Sequence, residues 1–311
     1  MKKDAMALSI DIQRTTMRKK RSNLNRLTVF LFLLPALSVY GLYNVYGIIR
    51  TFIYSTMEWT GLSPRMTFIG LANYEKLVAD SNVWHALGNN LILVVVSIVV
   101  QLSFGFILAL IINSRIRGVK FLRTIYFMPM LLSTIATGIL WILMMDPYFG
   151  LINQLLGTVG LETLQRAWLG ESSTAMGSVL FVVCWQYIPQ YMILLSAGMS
   201  NIPEEVYEAA TIDGANKFQQ IIKITLPLLF PTIRISAVLS LVGSLKYFDL
   251  IYVMTGGGPN GLTDVLATYM YKKGFVESNM GYASTIAAFM FFVSLFMVVI
   301  FQFISRRKER S

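Results

Sequence analysis

Histidine and cysteine are almost missing from this 311-residue chain, which holds one of each, His85 and Cys184. A lone cysteine excludes an internal disulfide and any cysteine-rich zinc or iron–sulfur site. A lone histidine leaves no histidine-based metal centre, so both residues read as packing or surface positions and no metal site is assigned. Charge is also scarce: 14% of the residues are Asp, Glu, Lys or Arg, against about 25% in an ordinary soluble domain. No Gly-x-x-x-x-Gly-Lys-[Ser/Thr] phosphate cradle occurs, and the glycine-rich run Gly256-Gly-Gly-Pro-Asn-Gly261 lacks the lysine such a cradle requires. The chain is therefore expected to bind no nucleotide or other cofactor itself. There is no His-Glu-x-x-His pattern, no pair of intramembrane aspartates and no Ser–His or Ser–Lys dyad, so an intramembrane enzyme would lack its reacting groups and no catalytic residue is assigned.

What the chain has is apolar length, with 55% hydrophobic residues. Its charges form short clusters between stretches long enough to cross a bilayer, which takes roughly 20 residues at 1.5 Å rise each. Apolar windows predict about six helices, over 27–49, 87–112, 122–145, 175–198, 226–253 and 283–304. The expected fold is an all-α membrane protein: one transmembrane domain, 27–304, between basic tails 1–26 and 305–311. No fixed-period repeat or low-complexity linker divides it. The first apolar run exceeds the 7–15 residues of a signal-peptide core, which favours a retained span.

Of the 26 Lys and Arg residues, eighteen fall in the N-terminal tail, the C-terminal tail and the loops after the second and fourth spans; six fall in the loops on the other side. Lys and Arg concentrate on the cytoplasmic side of membrane proteins, so both termini are expected there. The same placement accounts for the net charge of +10 without a nucleic-acid partner. The N-terminal tail reads as a topology determinant, with lipid-surface anchoring as the alternative.

The loop 201–227 differs from the others. Asn201 reads as a helix N-cap with Glu204 three residues on and Pro203 in the tolerant first turn. Glu204 and Glu205 suit the positive end of that helix dipole. Asp213-Gly214 reads as a break, and a second short helix presents Phe218, Ile221 and Ile222 at helical spacing. Ala209 and Ala210 leave a small-residue surface that another backbone can approach. Such a loop suits insertion into a groove of a soluble partner; an interfacial amphipathic helix is the other reading.

Glu208-Ala209-Ala210, then Gly214, then Ile224-x-Leu226-Pro227 resembles the EAA loop of the inner-membrane permeases of binding-protein-dependent ABC importers. Met254-Thr-Gly-Gly-Gly-Pro259 is similar to an extracytoplasmic turn of the sugar-importing branch. Phe32-Leu-Leu-Pro-Ala36, Gly70-Leu-Ala-Asn-Tyr74 and Phe127-Met-Pro129 resemble that branch too. The resemblance implies a type I importer fold and a loop that docks into a separate ATPase: Glu208 meeting polar or basic groups there, Ala209 and Ala210 packing in its cleft, Gly214 forming the turn. It implies as partners a second homologous permease, two ATPase subunits that bind the ATP, and an extracytoplasmic solute-binding protein. It also implies location in the inner membrane of a bacterium or archaeon. The glycine-rich turn at 254–261 is expected as a surface loop that touches the delivering protein.

Polar and aromatic residues inside spans point to a solute pathway, because unsatisfied polar groups in lipid are expensive. The fourth span carries Trp185, Gln186, Tyr187, Gln190 and Tyr191, and the fifth Ser240, Ser244, Lys246, Tyr247 and Asp249. Aromatic faces, amides and hydroxyls are the groups that bind sugars. Tyr187 and Gln190 share a helix face, as do Ser240, Ser244 and Tyr247. The competing reading of each is helix packing or an interfacial aromatic belt. Lys246 and Asp249 are expected to pair with each other, and Arg234 to snorkel. A carbohydrate is the favoured cargo, since a phosphate-bearing one such as glycerol phosphate would call for more cations. A membrane scaffold or receptor would share the loop but need no polar pathway.

Overall fold

Apolar length becomes helix length. The computed structural model describes residues 28–114 and 116–307; the tail 1–26, Leu27, Arg115 and the end of the C-terminal tail lie outside them. In chain order the helices are α1 (Thr28–Ser55), α2 (Ala72–Ala79), α3 (Ser81–Ile112), α4 (Val119–Leu131), α5 (Thr134–Met144) and α6 (Leu151–Thr158). They continue with α7 (Ala175–Ser200), α8 (Glu204–Ile212), α9 (Lys217–Leu245), α10 (Asp249–Thr255), α11 (Leu266–Tyr271) and α12 (Met280–Arg307). Among the described residues, α1, α3, α7, α9 and α12 are each long and apolar enough to span a membrane, and α4 with α5 forms a sixth candidate bent by 97°. A two-residue antiparallel pairing, β1 (Met57–Glu58) with β2 (Thr67–Phe68), closes the loop after α1.

Residues 1–53 and 54–311 form two units. The described part of the first is the bulk of α1, none of it buried within this chain. Its surface of Val29, Phe32, Leu42 and Tyr43 is what lipid or a neighbouring apolar helix requires.

In the second unit the bundle is built around α7. Leu93 of α3, Trp141 of α5, Val179, Val182 and Val183 of α7 and Leu250, Ile251 and Met254 of α10 form the largest buried cluster. Close crossings use small residues, as dispersion-driven packing in lipid favours. A Cβ on Gly105 of α3 would lie 2.9 Å from the Cβ of Tyr191 on α7, so the two backbones meet where no side chain fits.

The structure departs from the apolar windows at two places. The window 122–145 is not one rod: α4 ends at Leu131, and Leu132 and Ser133 are extended before α5 restarts. Pro129 in the last turn of α4 lacks an amide hydrogen and clashes with the preceding turn, which weakens the helix there. The window 226–253 likewise covers two helices. α9 stops at Leu245, three residues turn, and α10 begins at Asp249.

The motif Gly70-Leu-Ala-Asn-Tyr74 has a structural explanation. Asn73 of α2 donates through Nδ2 to the carbonyls of Ser55 (3.1 Å) and Met57 (3.0 Å), and the Tyr74 and Ser55 hydroxyls lie 2.8 Å apart. These bonds fasten α2 to the chain at Ser55–Met57, where α1 ends. Asp80 then caps α3 by accepting from the Asn82 amide at 3.0 Å.

The glycine-rich turn is folded inward rather than displayed. Thr263 and Asp264 are buried. Asn89 Nδ2 donates to the carbonyls of Leu262 and Asp264, both at 2.8 Å. Asn90 donates to the Ser244 carbonyl (3.2 Å) and accepts from the Leu266 amide (2.9 Å). Gly257, at φ +86°, has no room for a Cβ beside Asp264. Its expected role as a surface loop therefore holds only at its tip, where Asn260 is exposed.

Candidate functional site

Two places concentrate the predicted functional residues. The first is a cavity of about 230 Å³ between α7, α9 and the turn into α10, lined by Tyr187, Gln190, Tyr191, Lys246, Tyr247 and Asp249, with Thr134, Leu239, Gly243, Phe248 and Leu250 completing the wall. The break after Leu245 makes this site. It turns Lys246 to Asp249 out of the helical path, so that four consecutive side chains face the same space. Tyr187 and Tyr247 meet edge to face there, ring centroids 5.4 Å apart.

Four residues expected on this wall lie behind it. Trp185 packs edge to face on Trp141 at 5.4 Å, inside the main apolar cluster. Gln186 is 2% exposed and donates through Nε2 to the Leu132 carbonyl at 3.4 Å. That carbonyl is left open by the break between α4 and α5, and an amide donor is what it needs. Ser240 and Ser244 are buried. The ion pair expected between Lys246 and Asp249 does not form: the two line the cavity separately and both are exposed. Three residues apart should place them on one helix face, but the helix ends between them.

Sequence reasoning passed over Gln101. It closes a π-helical turn, Ser97–Gln101, in α3 and is completely buried. It stands beside Tyr247 and Cys184, directly behind the cavity. An amide in mid-span was the available signal, and an irregular turn at such a place often marks function.

The second place is the loop 201–227. The expected cap at Asn201 is displaced: Asn201 closes α7, and Pro203, extended at φ −58° and ψ 139°, precedes α8 with Glu204 and Glu205 in its first turn. Proline has no amide to donate, so the chain leaves one helix and enters the next through it. A reciprocal capping box forms instead one helix later, between Asn216 and Gln219. At the end of α8 the Ala215 amide donates to the Ala210 carbonyl (2.9 Å) and the Gly214 amide to that of Thr211 (3.1 Å). This is a Schellman closure, with Gly214 at φ +79° in the left-handed position that glycine supplies.

One face of α8 is fastened to the foot of α9: the Tyr207 and Thr225 hydroxyls lie 3.0 Å apart, and Gln220 Nε2 donates to the Thr211 hydroxyl at 2.9 Å. Glu208, Ala209 and Ile212 of α8, Gly214 in the turn and Phe218 at the start of α9 are exposed, and Ala210 is half-buried. Ile224 is half-buried, while Leu226 and Pro227 open the straight part of α9. The Tyr207–Thr225 and Gln220–Thr211 contacts join α8 to α9, the helix that carries Leu239 and Gly243 of the cavity wall.

Residues 101–310 match the family described as the binding-protein-dependent transport system inner membrane component. The chain belongs to that family. It is a permease component of an ABC transporter, not an enzyme. The probable ABC transporter permease protein YurN of Bacillus subtilis (strain 168) is 40% identical over 275 residues, covering 88% of this chain and 94% of that protein. The trehalose/maltose transport system permease protein MalF of Thermococcus litoralis is 33% identical over 272 residues, covering 86% and 91%. A bacterial ABC transporter involved in the import of the acidic polysaccharide alginate has a chain of the same fold, with a TM-score of 0.82 and 24% identity over 93% of this permease and 99% of that chain. The permease is thus a multi-pass inner-membrane protein.

Proposed function

We propose that this permease forms half of the pathway by which an ABC importer takes up a carbohydrate. The observation that carries the reading is the composition of the cavity wall: three tyrosines, one glutamine and two opposite charges that do not neutralise each other by contact. Tyrosine rings offer faces to sugar C–H groups, while amide and hydroxyl groups exchange hydrogen bonds with sugar hydroxyls. Lys246 with Asp249 gives the wall no net charge, which favours a neutral cargo over a phosphate-bearing one. The relative in the trehalose/maltose system supports the same class.

The partners of this reading are a second homologous permease, two ATPase subunits that hold the ATP, and an extracytoplasmic solute-binding protein. Both termini and α8 face the cytoplasm. ATP-driven closure of the ATPases moves α8, and α8 moves α9 through Tyr207, Thr211, Gln220 and Thr225.

Purification of the tagged permease in mild detergent, with mass spectrometry of its companions, tests the assembly, and the recovered complex is then reconstituted for uptake of a labelled saccharide panel. An ATPase that accompanies the wild type and is lost from Gly214→Asp, together with uptake of at least one saccharide, is the expected result. Recovery of the intact permease without any nucleotide-binding protein would overturn the assembly. A complex that hydrolyses ATP but takes up none of the panel would overturn the carbohydrate cargo.

A further inference from the structure

A row of aromatic rings continues outward from the cavity. Phe248, in the cavity wall, stacks on Tyr252 with centroids 5.0 Å apart and planes at 16°. Tyr252 meets Tyr271 edge to face at 5.0 Å, Phe248 approaches the same ring at 5.2 Å, and Tyr271 stacks on Phe275 at 5.1 Å. The row crosses from the start of α10 to the turn after α11, on the side opposite to the docking loop. It is open along its length, with Tyr252 40% and Phe275 65% exposed.

Three features separate this row from ordinary packing. It meets the cavity at Phe248, and the cavity wall holds a separate ring pair, Tyr187 with Tyr247. The lysines beside its outer rings are engaged, Lys272 with Asp264 and Lys273 with Glu277, each at 2.8 Å. The cavity is small, about 230 Å³, whereas sites for drug-sized ligands occupy ~300–1,000 Å³. The residues lining this chain's half of the pathway can therefore contact only part of a saccharide of several units. Ring faces beside polar hydroxyls are the surface a neutral sugar chain binds.

We infer that Phe275, Tyr271, Tyr252 and Phe248 form an extracytoplasmic track that supports the trailing units of an oligosaccharide while its leading unit occupies the cavity. This rests on the carbohydrate reading above and adds that the cargo is a neutral chain longer than a disaccharide. The track acts on chain length, because a short sugar fits the cavity without touching the outer rings.

The test uses the whole reconstituted transporter with saturating loaded binding protein, and the maltose, cellobiose and diacetylchitobiose series from two to four units as probes. Uptake rate and sugar moved per ATP are compared in wild type, the double variant Tyr271→Leu with Phe275→Leu, and the ring-keeping double variant Tyr271→Phe with Phe275→Tyr. Ring contacts of ~0.5–1.5 kcal/mol each predict about a tenfold loss for the tetrasaccharide in the leucine variant. The disaccharide should stay within about twofold, and the ring-keeping variant should match wild type. Equal losses at both lengths, no loss at either, or a wild type that moves disaccharides alone would overturn the track while leaving the carbohydrate reading intact. Loss of the second permease from the leucine variant's complex would assign the rings to subunit contact instead. A wild type that moves none of the probes would overturn both readings.

Discussion

Tyr269 of α11 donates its hydroxyl to Asp80 Oδ2 at 2.7 Å, joining residues 189 positions apart. Tyr282 of α12 donates to the same oxygen at 2.7 Å. Asp80 also caps α3, so one carboxylate ties the first turn of α3 to α11 and to the start of α12. Lys76 over the Tyr282 ring and Lys273 over the Tyr269 ring reinforce the group, at 4.5 and 5.1 Å from the ring centroids.

This arrangement predicts an acid limit. Burial raises the Asp80 carboxyl, but hydrogen bonds from Tyr269, Tyr282 and the Asn82 amide, with the charge of Lys273, outweigh it and hold the group below its usual 3.8. A depressed carboxylate contributes stability that is complete above the unfolded pKa and lost as pH falls through the lower folded value. The contribution of Asp80 to the thermal unfolding temperature should therefore be constant from pH 8 to about 5 and decline only below about 4. Asp80→Asn should unfold about 2–4 °C lower at neutral pH for each kcal/mol of hydrogen bonding lost. Calorimetry of both proteins across that range checks the expectation.

Enlarging the exposed side of α8 should separate hydrolysis from transport. The Ala209 side chain is exposed, so Ala209→Trp should leave the unfolding temperature within about 2 °C. Sugar moved per ATP should fall at least about tenfold, the equivalent of ~1.4 kcal/mol of lost coupling. Parallel assays of hydrolysis and uptake in proteoliposomes measure that ratio.

Truncating the cavity wall should have the opposite pattern. Tyr187→Leu and Gln190→Leu remove groups that face the cavity, and each hydrogen bond lost is worth ~0.5–1.5 kcal/mol, or roughly 3–10-fold in uptake. Recovery of the ATPase with these variants should be unchanged. Full uptake by both would remove the pathway assignment.

Gln186 and Tyr187 are neighbours in sequence with different tasks. Gln186→Leu deletes the donor to the Leu132 carbonyl, and should lower stability by about 1 kcal/mol with little change in uptake relative to ATP hydrolysis. Unfolding measurements beside transport assays distinguish this from a pathway residue.

Much of the bundle and the turn of the loop 201–227 are visible in the linear pattern, for a physical reason. A lipid-crossing helix satisfies its backbone internally, so its length and apolar content are local properties. The turn at Gly214 is equally local, because a left-handed position selects glycine from within its own helix end. Tyr187 and Gln190 reach one wall together because α7 runs unbroken through both.

Tertiary structure decided the rest. Whether Gln186 faced solute or a helix break depended on where α4 stops, 54 residues earlier in the chain. Lys246 and Asp249 would have paired on a continuous helix; the turn after Leu245 separates them and makes the cavity. The aromatic row joins rings from α10 and the turn beyond α11, whose neighbourhood no periodicity encodes. Composition and period fixed which segments cross the membrane, since that choice is made residue by residue against lipid. Which polar side chains face the pathway was settled only by how the broken helices pack, since that choice is made between segments.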